Sequence, residues 1–126
     1  MTRDDLQIEH VPRGSVCIVS VPGDYGKPRP AVALQDSRLT AALDSVVIAL
    51  MNTSAHGSRH LRVPVDPTEE NGLRQTSRIM VDKLFTLPKH RVDQLVGRMD
   101  DATMLRVDEA LKTLLSLASD YDVIEA

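Results

Sequence analysis

Aromatic side chains are nearly absent from this 126-residue chain, which has no tryptophan, two tyrosines and one phenylalanine. Single-strand-binding RRM and OB domains stack nucleic-acid bases on exposed aromatic rings. Tyr25, Phe85 and Tyr121 are too few for a stacking platform of this kind. Both of these binding classes are therefore excluded.

Cysteine and long apolar segments are also scarce. Cys17 is the only cysteine, so no internal disulfide can form, which is typical of the reducing cytoplasm. It lies in an apolar run, which predicts a buried thiol and not a nucleophile. No apolar run is long enough to span a bilayer, and acidic residues near the N-terminus replace the apolar region of a secretion signal. We therefore expect a cytoplasmic protein without a membrane segment.

Motifs for metals and cofactors are missing as well. His56 and His60 are four residues apart, but a glycine and a serine between them indicate a loop and not a helix with two ligands. There is no glycine-rich phosphate loop and no serine in a nucleophile elbow. We therefore expect no metal site and no cofactor.

The net charge of −3 argues against a nucleic-acid binder, but the charges are unevenly distributed. From Arg13 to Arg98 there are 12 basic and 8 acidic residues, whereas the two ends together hold 3 basic and 10 acidic residues. The middle of the chain can therefore form a basic face on an acidic protein.

The hydrophobic pattern predicts a mainly β fold that ends in an amphipathic helix. Strands are expected at Ser15–Val21, Arg29–Asp36, Ser45–Leu50, His60–Asp66, Ser77–Asp82 (extending toward Thr86) and Gln94–Met99, with a helical turn at Ser37–Asp44. The first two strands are expected to form a hairpin, and the third to be central.

Asp100 or Asp101 should cap a helix that runs to about Ala118. Its apolar face is predicted at Met104, Val107, Leu111, Leu114, Leu115 and Ala118. Residues 1–126 are expected to form a single domain, with a loose lead-in at 1–12 and a tail at 119–126. The pattern indicates a small antiparallel β-barrel or a strongly curved sheet.

The segment Gly23–Gln35 places an arginine at the base of a strand. Arg29 lies between two prolines, which favour extended backbone, and follows a flexible loop containing Tyr25. A rigid strand end can hold a guanidinium for binding an anion. An ordinary surface arginine explains the segment equally well.

Other polar residues are expected at strand ends, namely Thr53, Ser54 and Asp82. Together with Arg29 they could bind and strain a phosphodiester without a metal, because Arg29 can stabilise extra negative charge on phosphorus. From spacing alone, Thr53 is better explained as an ordinary strand-end hydroxyl.

Several motifs occur together in one order along the chain: RGS before a strand, GDYGKPRPAVALQ, a strand ending in Thr53-Ser54, ENGLRQTSRIMVDK and VGRMDDATMLRVDEAL. This succession resembles the MazF/PemK (Kid-like) toxins of type II toxin–antitoxin systems over about residues 13–118. The resemblance implies an SH3-like, CcdB/PemK-type barrel with a C-terminal helix, and a homodimer. It implies a metal-independent endoribonuclease (mRNA interferase) that cuts single-stranded RNA through its 2′-hydroxyl and causes bacterial growth arrest.

The resemblance also implies roles for particular residues. The catalytic arginine maps onto Arg29 and the catalytic threonine onto Thr53. Asp82 matches a further aspartate of Kid-like members, but Met80 occupies the position of their arginine. Phe85 and Met51-Asn52 are further departures from the family pattern. Ser54 is a possible substrate-positioning residue, and His56, His60, Asp82 or bound water could accept the 2′-hydroxyl proton.

The basic middle of the chain is expected to bind both RNA and the tail of a cognate antitoxin. The candidate residues are Tyr25, Lys27, Arg59, Arg62, Arg74 and Arg78, with Arg29 covered by the antitoxin. Loops Pro22–Lys27 and Ala55–Arg59 would flank a substrate channel near the dimer interface. Two alternatives remain open: a CcdB-like DNA gyrase poison and a non-catalytic SH3-like binding module.

Overall fold

A computed structural model describes residues 10–117, and within them six strands form one antiparallel sheet in the order β4-β5-β3-β2-β1-β6. The strands are β1 (Ser15–Ser20), β2 (Pro28–Ala33), β3 (Ser45–Asn52), β4 (Arg62–Val65), β5 (Ser77–Pro88) and β6 (Val92–Arg98). Helix α1 (Ser37–Ala42) joins β2 to β3, a 3₁₀ turn at Lys89–Arg91 joins β5 to β6, and helix α2 (Asp101–Leu115) follows β6. The predicted mainly β fold with a C-terminal helix is confirmed.

Strand pairing confirms the predicted hairpin and the central position of β3. Cys17 of β1 pairs with Ala31 of β2, and β3 lies between β2 and β5. The twelve-residue β5 pairs with β3 along most of its length and with the short strand β4 at its beginning. Pro64 lies in β4, which is an edge strand, and edge strands tolerate a proline because one side of their backbone pairs with no other strand.

Side chains that alternate along the strands form two buried clusters on opposite faces of the curved sheet. Val16, Val32 and Ile79 belong to the cluster that also contains Met104 and Val107 of α2. The other cluster includes Cys17, Val19, Ala31, Ala33, Val46, Ile48 and Leu87. Cys17 is fully buried, as predicted, and burial raises the pKa of its thiol to about 12.

The loop between β4 and β5 packs against β6, and this contact holds together the two ends of the sheet. The Arg98 amide donates to the Glu70 carbonyl at 2.7 Å. The buried Asn71 side chain organises the loop: its Oδ1 accepts from the amides of Thr68 and Leu73, and its Nδ2 donates to the Asp66 carbonyl. The fit is close, because a Cβ on Gly97 would lie 2.4 Å from the Asn71 carbonyl.

Helix α2 begins as the sequence predicts and ends slightly earlier. The Asp100 carboxylate accepts from the Thr103 amide at 2.7 Å, which caps the helix. Ser116 adopts the left-handed conformation and ends it after Leu115. The prediction that Leu115 faces the core is wrong; it is exposed, because it lies about 100° around the helix from Leu114, which packs against the core. Ala118 and the predicted tail at 119–126 lie outside the described residues, as do residues 1–9 of the predicted lead-in.

The second strand is shorter than the predicted Arg29–Asp36 because Asp36 starts a helix. The Asp36 carboxylate accepts from the Arg38 amide at 2.8 Å and caps α1. Hydrogen bonding to Arg38 lowers the pKa of this carboxyl to about 2.

Within residues 10–117, no helix has both the length and the apolar character needed to cross a bilayer.

Candidate active site

Arg29 lies at the start of β2, where the proline-flanked segment predicted it, and is held by a carboxylate. Its Nε donates to Asp24 Oδ2 at 2.7 Å, and its Nη2 donates to Asp24 Oδ1 at 3.3 Å. Asp24 belongs to the loop that joins β1 to β2, in which Tyr25 has a φ of 54° and is fully exposed. This two-point contact fixes the plane of the guanidinium while 39% of the Arg29 side chain stays exposed.

The ion pair keeps both partners charged. The hydrogen bond from Arg29 lowers the pKa of Asp24, and Coulombic attraction to Arg29 and Lys27 acts in the same direction. The same hydrogen bond raises the pKa of Arg29. Since Asp24 uses two of the five N–H donors of a guanidinium, the other donors can bind an anion.

Thr53 directly follows β3 and lines a cavity of about 380 Å³. Because Ala31 pairs with Leu50 in the antiparallel β2–β3 ladder, the beginning of β2 and the end of β3 lie at the same end of the sheet. The structure therefore brings Arg29 and Thr53 to one end of the sheet. Pro30, but not Arg29, contributes to the cavity wall.

Residues from four other parts of the fold line the same cavity. Ile18 and Val96 supply apolar surface from β1 and β6, and Arg74 and Gln75 supply polar groups from the loop before β5. Asn52 also lines it, and the Oδ1 of this side chain is buried with no hydrogen-bond partner among residues 10–117. Of the arginines expected to bind RNA, Arg74 lines the same cavity as Thr53.

Asp82 is not brought to Arg29; its partner is Arg62, and the Arg62 Nη2 donates to Asp82 Oδ2 at 3.1 Å. The Arg62 side chain is only 10% exposed. The role of Arg62 in binding RNA stays a prediction, and this ion pair leaves little of its side chain exposed. Asp82 lies at an irregularity of the β3–β5 ladder, between the pairs Met51–Ile79 and Ala49–Leu84.

The remaining candidates lie on the loop that follows Thr53 and on nearby surfaces. Ser54 Oγ accepts from the His56 amide at 3.1 Å, and Ser58 Oγ accepts from the His60 amide at 3.3 Å. These bonds fold the loop locally and leave both imidazoles exposed. The predicted binding residues Lys27 and Arg59 are also exposed.

Arg78 is half-buried and reaches the same loop. Its Nη1 donates to the Ala55 carbonyl at 3.5 Å. Gly57 lies over the Arg62 guanidinium, since a Cβ at this glycine would be 2.7 Å from the Arg62 Nε. Arg62 and Arg78 therefore pack against the loop that carries the histidines.

Across residues 10–117, no three His, Cys, Asp or Glu side chains are grouped as metal ligands.

A sequence model of the PemK-like, MazF-like toxins of type II toxin–antitoxin systems matches residues 12–115, which include the whole sheet and α2. The chain belongs to this family. The toxin is 36% identical over 107 residues to the probable endoribonuclease MazF of Mycolicibacterium smegmatis, a match that covers 84% of this chain and 97% of that protein.

Solved structures of similar proteins have the same fold. The toxin MazF-mt6 of Mycobacterium tuberculosis superposes with a TM-score of 0.72 at 25% identity, covering 83% of this chain and 99% of that one. A mycobacterial endoribonuclease in complex with its cognate antitoxin superposes with a TM-score of 0.72 at 21% identity, covering 86% and 97% of the two chains. The predicted family and CcdB/PemK-type fold are confirmed.

These comparisons also bear on the predicted activity. The expectation of a toxin of a type II toxin–antitoxin system is confirmed by the family match, and that of an endoribonuclease agrees with the name of the curated relative. They do not favour the gyrase-poison or binding-module alternatives.

Two features of the toxin's site were missed from the sequence. Asp24 is the partner of Arg29, and the only signal was an acidic residue five positions earlier in the same loop. Nothing in the sequence indicated that the Asn52 Oδ1 is buried without a partner among the described residues, because its environment depends on strands that are distant in sequence.

Proposed function

We propose that the chain is a metal-independent endoribonuclease toxin that cuts single-stranded RNA at short sequences. The 2′-hydroxyl loses its proton and its oxygen attacks the adjacent phosphorus; the bond from phosphorus to the 5′-oxygen breaks, and this oxygen takes up a proton from Arg29 or from water. The products are a 2′,3′-cyclic phosphate and a 5′-hydroxyl. The observation that carries the proposal is the fixed but accessible guanidinium of Arg29 at the sheet end where Thr53 borders an open cavity. Family membership and the relative named as an endoribonuclease support it.

Arg29 would act by stabilising charge. The attack adds negative charge to the non-bridging phosphate oxygens, and fixed donors stabilise that charge most when they need not reorganise. Asp24 supplies this fixation through the two hydrogen bonds to Arg29. The Thr53 hydroxyl can donate a hydrogen bond to a second non-bridging oxygen.

A separate group must take the proton of the 2′-hydroxyl, because an arginine with a raised pKa is a poor base at neutral pH. His56 and His60 are exposed on the loop that follows Thr53, and an imidazole is suited to this transfer near neutral pH. Asp82 is a weaker candidate, since its carboxylate is engaged by Arg62. We assign the base to this loop and not to β5.

The proposal includes a single toxin domain over residues 1–126, a homodimer, a cytoplasmic location and inhibition by an antitoxin. Leu105 and Leu115 are exposed on α2 and offer apolar surface for a partner. One structural neighbour is described as being in complex with its cognate antitoxin. Exposed Tyr25 and Lys27, beside Arg29, form a surface that an acidic tail and RNA would both occupy.

The test is cleavage of a long single-stranded RNA with and without EDTA, followed by identification of the new ends. Arg29→Ala and Thr53→Ala should each slow cleavage by about 10²–10³-fold without changing the melting temperature. Arg91→Ala, in the turn at Lys89–Arg91, is a matched control and should cut like the wild type. Near-normal cleavage by Arg29→Ala, or loss of wild-type cleavage in EDTA, would disprove the mechanism.

A competition experiment tests the shared surface. An RNA with 2′-deoxyribose at the scissile position should bind without being cut, and the acidic antitoxin tail should displace it. A ternary complex with unchanged RNA affinity would contradict the shared surface while leaving the cleavage mechanism intact.

A further inference from the structure

The loop between β3 and β4 lies against a buried cation. Gly57 has a φ of 111°, a backbone conformation that residues with a Cβ rarely adopt. A Cβ at this position would lie 2.7 Å from Arg62 Nε and 2.9 Å from Arg62 Cζ. The guanidinium cannot easily move aside, because the Arg62 side chain is 10% exposed and its Nη2 donates to Asp82 Oδ2 at 3.1 Å. Position 57 therefore requires a glycine for two reasons, the backbone conformation and this close approach.

Two hydrogen bonds hold the first part of the same loop. Ser54 Oγ accepts from the His56 amide at 3.1 Å, which forms a tight turn directly after Thr53. Arg78 Nη1 donates to the Ala55 carbonyl at 3.5 Å. The backbone of His56 is therefore held between this turn and the contact with the buried guanidinium, while its side chain is exposed. The turn keeps this imidazole close to the strand end that carries Thr53.

The other histidine of the loop lies in different surroundings. His60 borders a groove of about 390 Å³ between β4 and α2, together with Leu105 and Arg106 of the helix. Thr53 lines a separate cavity, whose walls include β1, β6 and the loop before β5. Along the chain, His60 is seven positions after Thr53, and His56 is three positions after it. Of the two imidazoles, that of His56 is therefore the better placed to reach a phosphate held by Thr53.

We propose that His56 takes the proton of the attacking 2′-hydroxyl, and that Gly57 positions it by letting the loop lie against Arg62. This assignment rests on the proposed RNA-cleaving function and selects one base from the loop. A ring nitrogen of neutral His56 accepts the proton as the O–H bond breaks, and the oxygen uses the released electron pair to attack phosphorus. The imidazolium then releases the proton to water. Because a misplacement of about 1 Å can slow a reaction by about 10²-fold, an exposed base needs a backbone that is held in place.

The experiment measures kcat and KM for cleavage at one RNA site, with and without imidazole in solution. His56→Ala should lower kcat by about 10²–10⁴-fold, the usual contribution of a general base, and added imidazole should restore part of the rate. Gly57→Ala keeps the histidine but displaces it, so kcat should fall about 10- to 100-fold with little change in KM. Imidazole should also restore part of the Gly57→Ala rate, whereas a variant that is only less stable would not respond to imidazole.

Gly14→Ala is the matched control. Gly14 also has a positive φ, of 90°, but the nearest atom to an added Cβ would be Met104 Cγ at 3.7 Å, an ordinary contact. Its amide donates to the Ala33 carbonyl, at the opposite end of β2 from Arg29. Gly14→Ala should therefore lower the melting temperature through backbone strain and keep the wild-type kcat. An equal loss of kcat in Gly14→Ala would show that Gly57 acts only on stability.

The outcomes separate this assignment from the nuclease itself. If the wild type cuts RNA and His56→Ala cuts equally fast, or if imidazole rescues His60→Ala and not His56→Ala, the assignment is wrong and the nuclease stands. A wild-type kcat in Gly57→Ala would show that this glycine has no positioning role. If the wild type cuts no RNA, both proposals are wrong. Rescue of His56→Ala and Gly57→Ala by imidazole, with Gly14→Ala at the wild-type rate, establishes the base and its positioning.

Discussion

The Arg62–Asp82 ion pair provides a direct test of whether Asp82 is structural or catalytic. Arg62 is nine-tenths buried, and its Nη2 donates to Asp82 Oδ2 at 3.1 Å. Asp82→Ala removes the only carboxylate that neutralises this cation among the described residues. We therefore expect Asp82→Ala to destabilise the fold, and to affect cleavage only as far as it affects folding.

The size of the effect follows from burial. Removing one partner of a fully buried ion pair costs about 3–5 kcal/mol, because the other charge is left without compensation. Asp82 is 28% exposed, so in Asp82→Ala water can partly solvate the unpaired Arg62 guanidinium. We therefore expect Asp82→Ala to lower the free energy of unfolding by about 2–3 kcal/mol. For a domain of this size, 1 kcal/mol corresponds to roughly 4 °C, so the melting temperature should fall by about 8–12 °C.

Removing both charges should cost less than removing one. Arg62 Nε and Asp82 Oδ1 are buried and find no hydrogen-bond partner in the described part of the chain, so hydrogen bonding of the pair is incomplete there. Arg62→Met/Asp82→Leu should therefore be more stable than Asp82→Leu alone, and the cycle completed with Arg62→Met should give a coupling of at least about 1 kcal/mol. Urea denaturation at one fixed protein concentration measures this cycle. If Asp82→Ala melts at the wild-type temperature but does not cleave RNA, the structural role is refuted and Asp82 acts in catalysis.

Three further substitutions test other parts of the fold. Asp24→Ala should lower kcat about 10- to 100-fold with little change in KM, because Arg29 loses its orientation; an unchanged kcat would show that Asp24 has no positioning role. Gly97→Ala should cost about 1–3 kcal/mol, because the added Cβ would lie 2.4 Å from the Asn71 backbone; thermal unfolding at the wild-type temperature would contradict this contact. Burial raises the pKa of Cys17 from 9.0 to about 12, so its neutral form is favoured in the folded state. Relative to Cys17→Ala, the free energy of unfolding should stay constant below pH 9.0 and fall as the pH rises toward 12; parallel stability curves across this range would argue against a buried thiol.

The main elements of the fold follow from local patterns in the sequence. A continuous run of mostly β-branched apolar residues defines β1, and alternating apolar residues define β4. The three- and four-residue spacing of Met104, Val107 and Leu111 defines the inner face of α2. Asp100 marks the start of this helix because its carboxylate caps it. Such features depend on neighbours a few residues away, which is why they were predictable.

The candidate site was only partly predictable for the same reason. The two prolines around Arg29 identified a fixed guanidinium at a strand end, and the order of motifs identified the family. Strand pairing then placed Thr53 at the same end of the sheet, because antiparallel β2 and β3 join the start of one to the end of the other. Burial of Arg62 could not be read from its surroundings in sequence, since Asp82 is twenty residues away.

The sequence by itself determined the strands, the C-terminal helix and the family, because hydrophobic period, caps and motif order are properties of short segments. Only the tertiary structure decided which polar groups meet. Asp24 pairs with Arg29, Asp82 pairs with Arg62, and the buried Oδ1 of Asn52 finds no partner within residues 10–117. The physical reason is that the net value of a charge or a hydrogen-bonding group depends on its burial and its partner. For Arg62 the partner comes from β5, and for Asn52 the surrounding residues come from β6 and the loop before β5, all distant in the chain.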